Sequence, residues 1–298
     1  MGLLRFLRPG IGQLATHAPR PPALPGGGGG LPAGAAPIPL ISVVIPSFNQ
    51  GAFIEATLRS LIEQRYPRLE LIVVDGGSTD GTLAVIRRYE HQLAWWVSEP
   101  DGGQTAALNK GFARATGDIM AWLNSDDLAA PGALHRVACH FLEHPSCQVV
   151  YGNRILIDDT GMEVGRWTIP YHSPRVLRWA DYVPQETLYW RRAAWERVGA
   201  RLDERFRFAM DWDLLLRFSA AGLEVRHIPA FLGLFRVHRE QKTSSQLAGV
   251  GFEEMHVLRE RCLGHRPSRA AVRWHTAPYL VLARARELVD RIGRRGGT

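Results

Sequence analysis

An α/β fold, with an open and mainly parallel sheet covered by helices on both faces, is what this 298-residue sequence predicts. Three observations carry the prediction. Short apolar, β-branched runs alternate with segments of helical periodicity four times between residues 41 and 152. A polar loop containing Gly, Asp or Asn follows each of the first four runs. Hydrophobic residues make up 46% of the chain, enough for a sizeable core.

The elements follow in order. "ISVVIP" (41–46) reads as a buried strand ended by Pro46, and "SFNQG" as a loop. Ile54, Leu58, Leu61 and Ile62 recur at helical spacing before Tyr66-Pro67 breaks the pattern. "LELIVVD" (69–75) is a second strand, stopped by "GGSTDG" (76–81). A helix then starts near Thr82 with Asp80 as its N-cap. "LAWWVSE" (93–99) is the third strand, "QTAALNKGFARA" (104–115) the next helix, and "DIMAWL" (118–123) the fourth strand. A helix follows Pro131 and "CQVVYG" (147–152) is a fifth strand. Such alternation predicts parallel βαβ units. In these sheets ligands bind beyond the carboxyl ends of the strands. The loops 47–51, 75–81, 101–104 and 124–127 all fall at that edge.

From residue 153 the pattern changes. "RILIDDTGMEVGRW" predicts a hairpin turning at 159–161, "ETLYWRRAAWERVG" a strand then a helix, and 211–222 a helix. "LEVRHIP" and "FLGLFRVH" read as two strands. This divides the chain into a Pro/Gly-rich disordered tether (1–39), a ligand-binding α/β half (40–152), a mixed second half of the same domain (153–246) and a basic helical tail (247–298).

The net charge is +7, but its location matters more than its size. Residues 41–250 hold 23 basic and 24 acidic side chains, whereas 251–298 hold ten Arg and five acids. The central domain therefore has no basic surplus for a nucleic-acid partner. The basic ends suit a solvated surface or anionic lipid head groups. Three cysteines, Cys139, Cys147 and Cys262, match no metal spacing and fit a reducing compartment. No run of 18 apolar residues predicts a transmembrane helix, and Arg5 and Arg8 interrupt the N-terminal apolar run of any signal peptide. The expected location is cytoplasmic, with contact at the inner membrane face an open option.

"NSDD" (124–127) is the most informative stretch. Two adjacent carboxylates, Asp126 and Asp127, at a strand end repel each other unless a cation sits beside them. Mg²⁺ and Mn²⁺ take one or two carboxylates and complete their shell with substrate phosphates. The alternative is a plain turn capping the next helix. Asp75, at its own strand end, can accept from a base N–H or a ribose hydroxyl, or cap the helix that follows. Gly102-Gly103 lets backbone approach a ligand, with Gln104, Asn109 and Lys110 beside it. In "MDWD" (210–213), Asp211 beside Trp212 suits a general base, or a helix cap. His238 can ligate a metal or bind phosphate, although a lone His is more often structural. No GxGxxG and no Walker A lysine occur after the first two strands.

Together, "VVIPSFNQGAFIEATLRSLIEQRYPRLELIVVDGGSTDGT", "SEPDGGQTAALNKGFARATGDIMAWLNSDD", "MDWDLLLRF" and "FRVH", in this order, resemble the bacterial-type family 2 glycosyltransferases over residues 40–240. The resemblance implies a GT-A fold, a nucleotide-sugar donor, a divalent cation (Mg²⁺ or Mn²⁺), and inversion at the anomeric carbon. It also implies a glycan or lipid-linked acceptor, as in cell-envelope polysaccharide synthesis. Pro46, Ser47 and Asp75 match positions that hold the base, with Asn49 and Ser78 in the same loops. Asp126 matches the acid facing the ribose, Asp127 the metal-holding acid, and His238 a position that assists it. Gln104, Asn109 and Lys110 complete the donor side. Asp211 matches the presumed base, and Met210 departs from the usual Glu before it. Trp167, Trp179, Gln185 and Glu186 are acceptor-side candidates.

Two other classes compete. A nucleotidyltransferase would favour a cationic Gly-rich loop after the first strand, where "SFNQGAF" carries no cation. A non-catalytic nucleotide-sugar-binding protein would not need every candidate acid.

Overall fold

The computed structural model describes residues 16–24, 37–238 and 247–295. One sheet organises the domain, with the order β1-β8-β7-β9-β5-β2-β3-β4 and β10 branching from β7. Its parallel half contains β2 (Ile41–Ser47), β3 (Leu69–Asp75), β4 (Trp95–Ser98) and β5 (Ile119–Trp122). Helices α1 (Ile54–Ile62), α2 (Thr82–Tyr89) and α3 (Gln104–Phe112) connect them, as the alternation predicts. All seven residues of β2 are buried. Val44 faces one core cluster while Ile41, Val43 and Ile45 face the other, which is the two-faced burial of a central parallel strand. Gly111 lets α3 lie directly on that strand, because a Cβ there would sit 2.4 Å from Val44 Cγ1.

Several expectations are corrected here. Pro46 does not end β2: it pairs in register with Val74, and the strand continues to Ser47. The fifth strand does not extend the parallel run next to β5. The antiparallel β9 (Tyr189–Arg191) lies between β5 and β7 (Val149–Ile157). The two strands read in "LEVRHIP" and "FLGLFRVH" are one strand, β10 (Val225–Arg236), with irregular register between His227 and Gly233. Pro229 lies in that irregular stretch, where a missing N–H is tolerated. Gly81, not Asp80, is the cap residue of α2, although the Asp80 carboxylate accepts from the Thr82 N–H at 2.9 Å.

The short β6 (Leu128–Ala129) pairs antiparallel with β10, and α4 (Ala133–Glu143) follows it. β7 and β8 (Glu163–Trp167) form the expected hairpin. Residues 16–20, read within the tether, form β1 (Thr16–Arg20) antiparallel to β8. Its attachment is ionic: Arg20 and Arg166 both pair with the buried Glu163 carboxylate. The rest of the tether, 1–15 and 25–36, lies outside the described residues.

The second half adds α5 (Pro174–Leu177), α6 (Arg192–Arg197) and α7 (Met210–Ala220). The C-terminal residues form α8 (Phe252–Leu263) and α9 (Arg269–Arg295). They are helical as expected but are not an appendage. Leu258 and Tyr279 are buried in the same core cluster as Trp122, Trp190 and Trp212.

Candidate active site

Three loops at the carboxyl edge of the parallel strands form the first wall. Asp75 is fully buried, and its two oxygens accept from the Ser78 N–H at 2.9 Å, the Ser78 hydroxyl and the Ser98 hydroxyl at 2.6 Å. Ser78 Oγ in turn accepts from the Asn49 N–H at 2.7 Å, and Asn49 Oδ1 from the Thr79 N–H at 3.0 Å. Asn49 adopts φ 52°, a left-handed conformation that asparagine tolerates. Pro46 and Ser47 are buried beneath this lattice, and Ser47 Oγ has no hydrogen-bond partner. Phe48, by contrast, is 61% exposed and reaches over Gly76. The sequence reading missed it. Its signal was available: a lone large aromatic between two polar loop residues, Ser47 and Asn49.

The acid pair forms the second wall. Thr57 Oγ1 donates to the carbonyls of Ser125 and Asp127, and so fastens the turn. Arg236 fastens it from the other side. Its backbone N–H donates to Asp127 Oδ1 at 2.9 Å, and its Nε to the Asp126 carbonyl at 2.8 Å. The two acids therefore differ. Asp127 is 1% exposed and turned inward. Burial first, then the charges of Asp126 and Glu186, push its carboxyl well above the usual range. Asp126 stays half-buried and meets His238 Nε2 at 3.0 Å. Gln104 Nε2 donates to Asn124 Oδ1 at 2.7 Å, so the start of α3 touches the same turn.

The other donor-side candidates have protein partners. Asn109 donates to the Leu202 carbonyl and to Glu204, and accepts from the Leu202 N–H at 2.8 Å. Lys110 pairs with Glu99 at 2.6 Å. The structure uses both to tie α3 to its neighbours.

Between the walls lies a buried ion pair. Arg154 donates through Nε and Nη2 to both oxygens of Glu186, with Nε at 2.8 Å. Gly233 makes room for it, since a Cβ there would sit 2.5 Å from Glu186 Cγ. Gln185 Nε2 donates to the Trp122 carbonyl at 2.9 Å, which pins this segment to the end of β5. The Glu186 charge also acts on Asp127. Trp167 lies against the Arg154 guanidinium at 5.3 Å, while Trp179 stacks on His275 at 3.9 Å.

The far wall is the start of α7. Asp211 sits in its first turn and accepts from the Trp212 N–H at 2.8 Å. Asp181 is the residue that sequence reasoning missed entirely. Burial first, then the Asp211 charge, push its carboxyl well above the usual range, while Arg154 acts in the opposite sense. Arg154 also lowers Asp127. Arg154 therefore acts on an acid of each group, Asp127 and Asp181. The signal for Asp181 was weak, because a single acid in "RWADYVP" reads as loop.

Comparison with known proteins decides the family. The family described as glycosyl transferase family 2 matches residues 42–197, more than half of the chain. The chain belongs to glycosyl transferase family 2.

Relatives of this family-2 glycosyltransferase agree. It is 34% identical over 220 residues to the O-antigen biosynthesis protein RfbC of Myxococcus xanthus, covering 72% of this chain and 17% of that one. It is 31% identical over 195 residues to a PGL/p-HBAD biosynthesis glycosyltransferase of Mycobacterium bovis, covering 64% and 74%. Among solved structures, S. aureus TarS 1–349 in complex with UDP-GlcNAc superposes with a TM-score of 0.63 at 22% identity, over 81% of this chain and 71% of that one. The mannosyltransferase PcManGT of Pyrobaculum calidifontis, in complex with GDP-Man and Mn²⁺, gives 0.59 at 24% identity, over 84% and 72%. These neighbours establish the GT-A arrangement of the glycosyltransferase.

The residues at the rim fit a hard divalent cation. Asp126 offers oxygen and His238 nitrogen. Among the described residues no group of three His, Cys, Asp or Glu side chains gathers round one point. A cation held here would draw its remaining ligands from a diphosphate and water.

Proposed function

We propose that this glycosyltransferase moves a sugar from a nucleotide-sugar donor to a hydroxyl of a glycan or lipid-linked acceptor, with a divalent cation and inversion at the anomeric carbon. The observation carrying this reading is the acid turn after β5, where Asp126 meets His238 at 3.0 Å while Thr57 and Arg236 fasten the backbone.

In this reading the lattice of Asp75, Ser78 and Asn49 shapes the base pocket, and the exposed ring of Phe48 offers a stacking surface over it. Asp126 and His238 would hold the cation. Asp127 supports them from below through the Arg236 N–H. This moves the metal-holding role from Asp127, where the resemblance puts it, to Asp126. The bound cation would neutralise charge on the departing diphosphate. The Asp211 carboxylate takes the proton of the acceptor hydroxyl as that oxygen attacks the anomeric carbon. A new C–O bond forms on one face while the bond to the diphosphate breaks on the other, and the bonding electrons leave with the nucleoside diphosphate. A single displacement inverts the centre.

The test is a thermal-shift and product-release panel of nucleotide sugars with and without Mn²⁺. Wild-type protein is stabilised by donor plus Mn²⁺ and releases nucleoside diphosphate, not pyrophosphate. Asp126→Asn loses the Mn²⁺-dependent stabilisation. Pyrophosphate release from a nucleoside triphosphate overturns the reading in favour of nucleotidyl transfer.

The relatives' names, O-antigen and PGL/p-HBAD biosynthesis, support a cell-envelope glycan or lipid acceptor. Contact with a membrane face is part of the same proposal. No described helix is long and apolar enough to cross a membrane. However, α9 exposes Trp274 (79%), Val281 (64%) and Leu282, and carries several arginines. Vesicles containing phosphatidylglycerol should sediment the full chain, and Trp274→Ser/Val281→Ser should reduce that binding. Equal sedimentation of the two proteins removes the contact.

A further inference from the structure

We infer that Glu254, on the C-terminal helix α8, is a positioning residue for the transfer step: it fixes the turn that aims Asp211. The inference rests on the base role proposed for Asp211, and it assigns part of the catalytic machinery to residues beyond the matched family region.

The start of α7 has a capping problem. The first N–H groups of a helix lack internal partners. The cap residue here is Ala209, whose side chain cannot accept a hydrogen bond, and no side-chain cap occurs at that position. Glu254 instead fastens the turn that leads into the helix, and Ala209 lies 45 positions from it. Its Oε1 accepts from the Arg207 N–H at 2.8 Å, and its Oε2 from the N–H groups of Phe208 and Ala209, each at 2.8 Å. Three successive amides turned onto one carboxylate form an anion-binding nest. Glu254 is 9% exposed, so water competes weakly for these bonds.

Neighbouring contacts hold the same turn. Gly251 lies against the Phe208 ring, where an added Cβ would sit 3.0 Å from Cδ1. Arg259 lies over the Trp212 ring at 5.3 Å, and Arg261 pairs with the buried Asp213 at 2.6 Å. Residues on both sides of Asp211 are thus gripped by one helix. The grip reaches the opposite segment too, since Arg259 Nε donates to the Trp179 carbonyl and Arg178 to the Cys262 carbonyl. That segment leads to Asp181. Glu254 and its helix therefore set how the start of α7 sits against Asp181. A displacement of about 1 Å at a reacting group can cost roughly a hundredfold in rate.

The test uses Glu254→Gln in the full chain. Glutamine keeps the size and one acceptor oxygen, so it can serve only part of the nest. UDP-GlcNAc and GDP-mannose, each with Mn²⁺, serve as probes. Donor binding is read by thermal shift and nucleoside diphosphate release to water by coupled assay, with rates normalised to donor-binding sites. We expect unchanged donor stabilisation and turnover about ten- to a hundredfold lower, with faster amide exchange confined to 207–213. A double variant with Asp211→Asn should be no slower than Asp211→Asn alone. Amide exchange at 207–213 equal to wild type overturns the inference whether or not either probe turns over. So does a rate loss matching the loss of donor-binding sites, which would mean partial unfolding. If Asp211→Asn itself retains transfer, the base assignment fails instead, whatever Glu254 does.

Discussion

The two walls of the cleft are held together in different ways. The donor-side loops are stitched to one another by short polar side chains at the ends of adjacent strands and in the loops after them: Asp75 to Ser78 and Ser98, Asn49 to Ser78 and Thr79, Asp80 to Gly51 and Thr82. The acceptor-side wall is held by charged side chains, two of them on the C-terminal helix α8. Glu254 fastens the turn at 207–209, Arg154 pairs with Glu186, and Arg261 reaches Asp213. Loops tied across two neighbouring strands keep their shape through the pairing of those strands. A helix start tied to a remote helix depends on the whole domain being assembled. The donor pocket should therefore tolerate damage to the tail, whereas the base should not.

The largest effects should come from Asp126 and Asp211, and they should differ in kind. Asp126→Asn removes Mn²⁺-dependent donor stabilisation along with turnover. Asp211→Asn keeps donor stabilisation and lowers turnover by about two to four orders of magnitude, the range for a lost general base. Titration of donor and Mn²⁺ against each variant checks this. Loss of donor binding in a folded Asp211→Asn protein would erase the division between the walls.

Breaking the buried Arg154–Glu186 pair comes next. Glu186→Gln leaves the Arg154 charge buried without its carboxylate, at a cost of about 3–5 kcal/mol. Urea unfolding reads this directly. A loss below about 1 kcal/mol would show that solvent already reaches the pair.

The ionic attachment of β1 sharpens the comparison at the sheet edge. Burial opposes ionisation of Glu163, but hydrogen bonds and charge from Arg166 and Arg20 outweigh it and hold the carboxyl down at about 2, against the ordinary 4.5. Its folded value is depressed, so its contribution is complete above pH 4.5 and is lost as pH falls from 4.5 toward 2. Stability should fall by roughly 2 kcal/mol across that window, and Glu163→Gln should flatten the change. The buried His172 acts over a higher window. Burial lowers it from 6.5 to about 4, so the folded state resists its protonation and loses stability as pH falls from 6.5 toward 4. Thermal melts of His172→Phe from pH 7 to 4 should show a shallower decline.

The smallest effect should be Lys110→Ala. Its pair with Glu99 is exposed, and such pairs contribute well under about 1 kcal/mol. Unchanged donor stabilisation would confirm that Lys110 serves α3 and not the ligand. A weakened donor response would return it to the site.

Much of the donor wall was legible in sequence because period-2 and period-3.6 patterns and polar strand ends are local signals. β3 runs from Leu69 to Asp75 as read, and α1 covers the residues whose spacing announced it. The acceptor wall was less legible. The insertion of antiparallel β9 beside β5 leaves no mark on its own three residues. The continuity of β10 across Pro229 contradicts the local breaker signal, because pairing with β7 on both sides of the irregularity outweighs it. The 16–20 strand hides in a Pro-rich segment because Arg20 finds Glu163 only after β8 has formed.

The sequence by itself determined the family, the alternating α/β half and the placement of carboxylates at strand ends, since each depends on neighbours within a few tens of residues. Tertiary structure alone decided which of two adjacent aspartates faces outward, that the Asp211 charge acts on Asp181, and that a remote glutamate fastens the turn leading into the helix that carries Asp211. Those outcomes depend on burial and on the direction of individual N–H groups, and neither exists until distant segments have packed together.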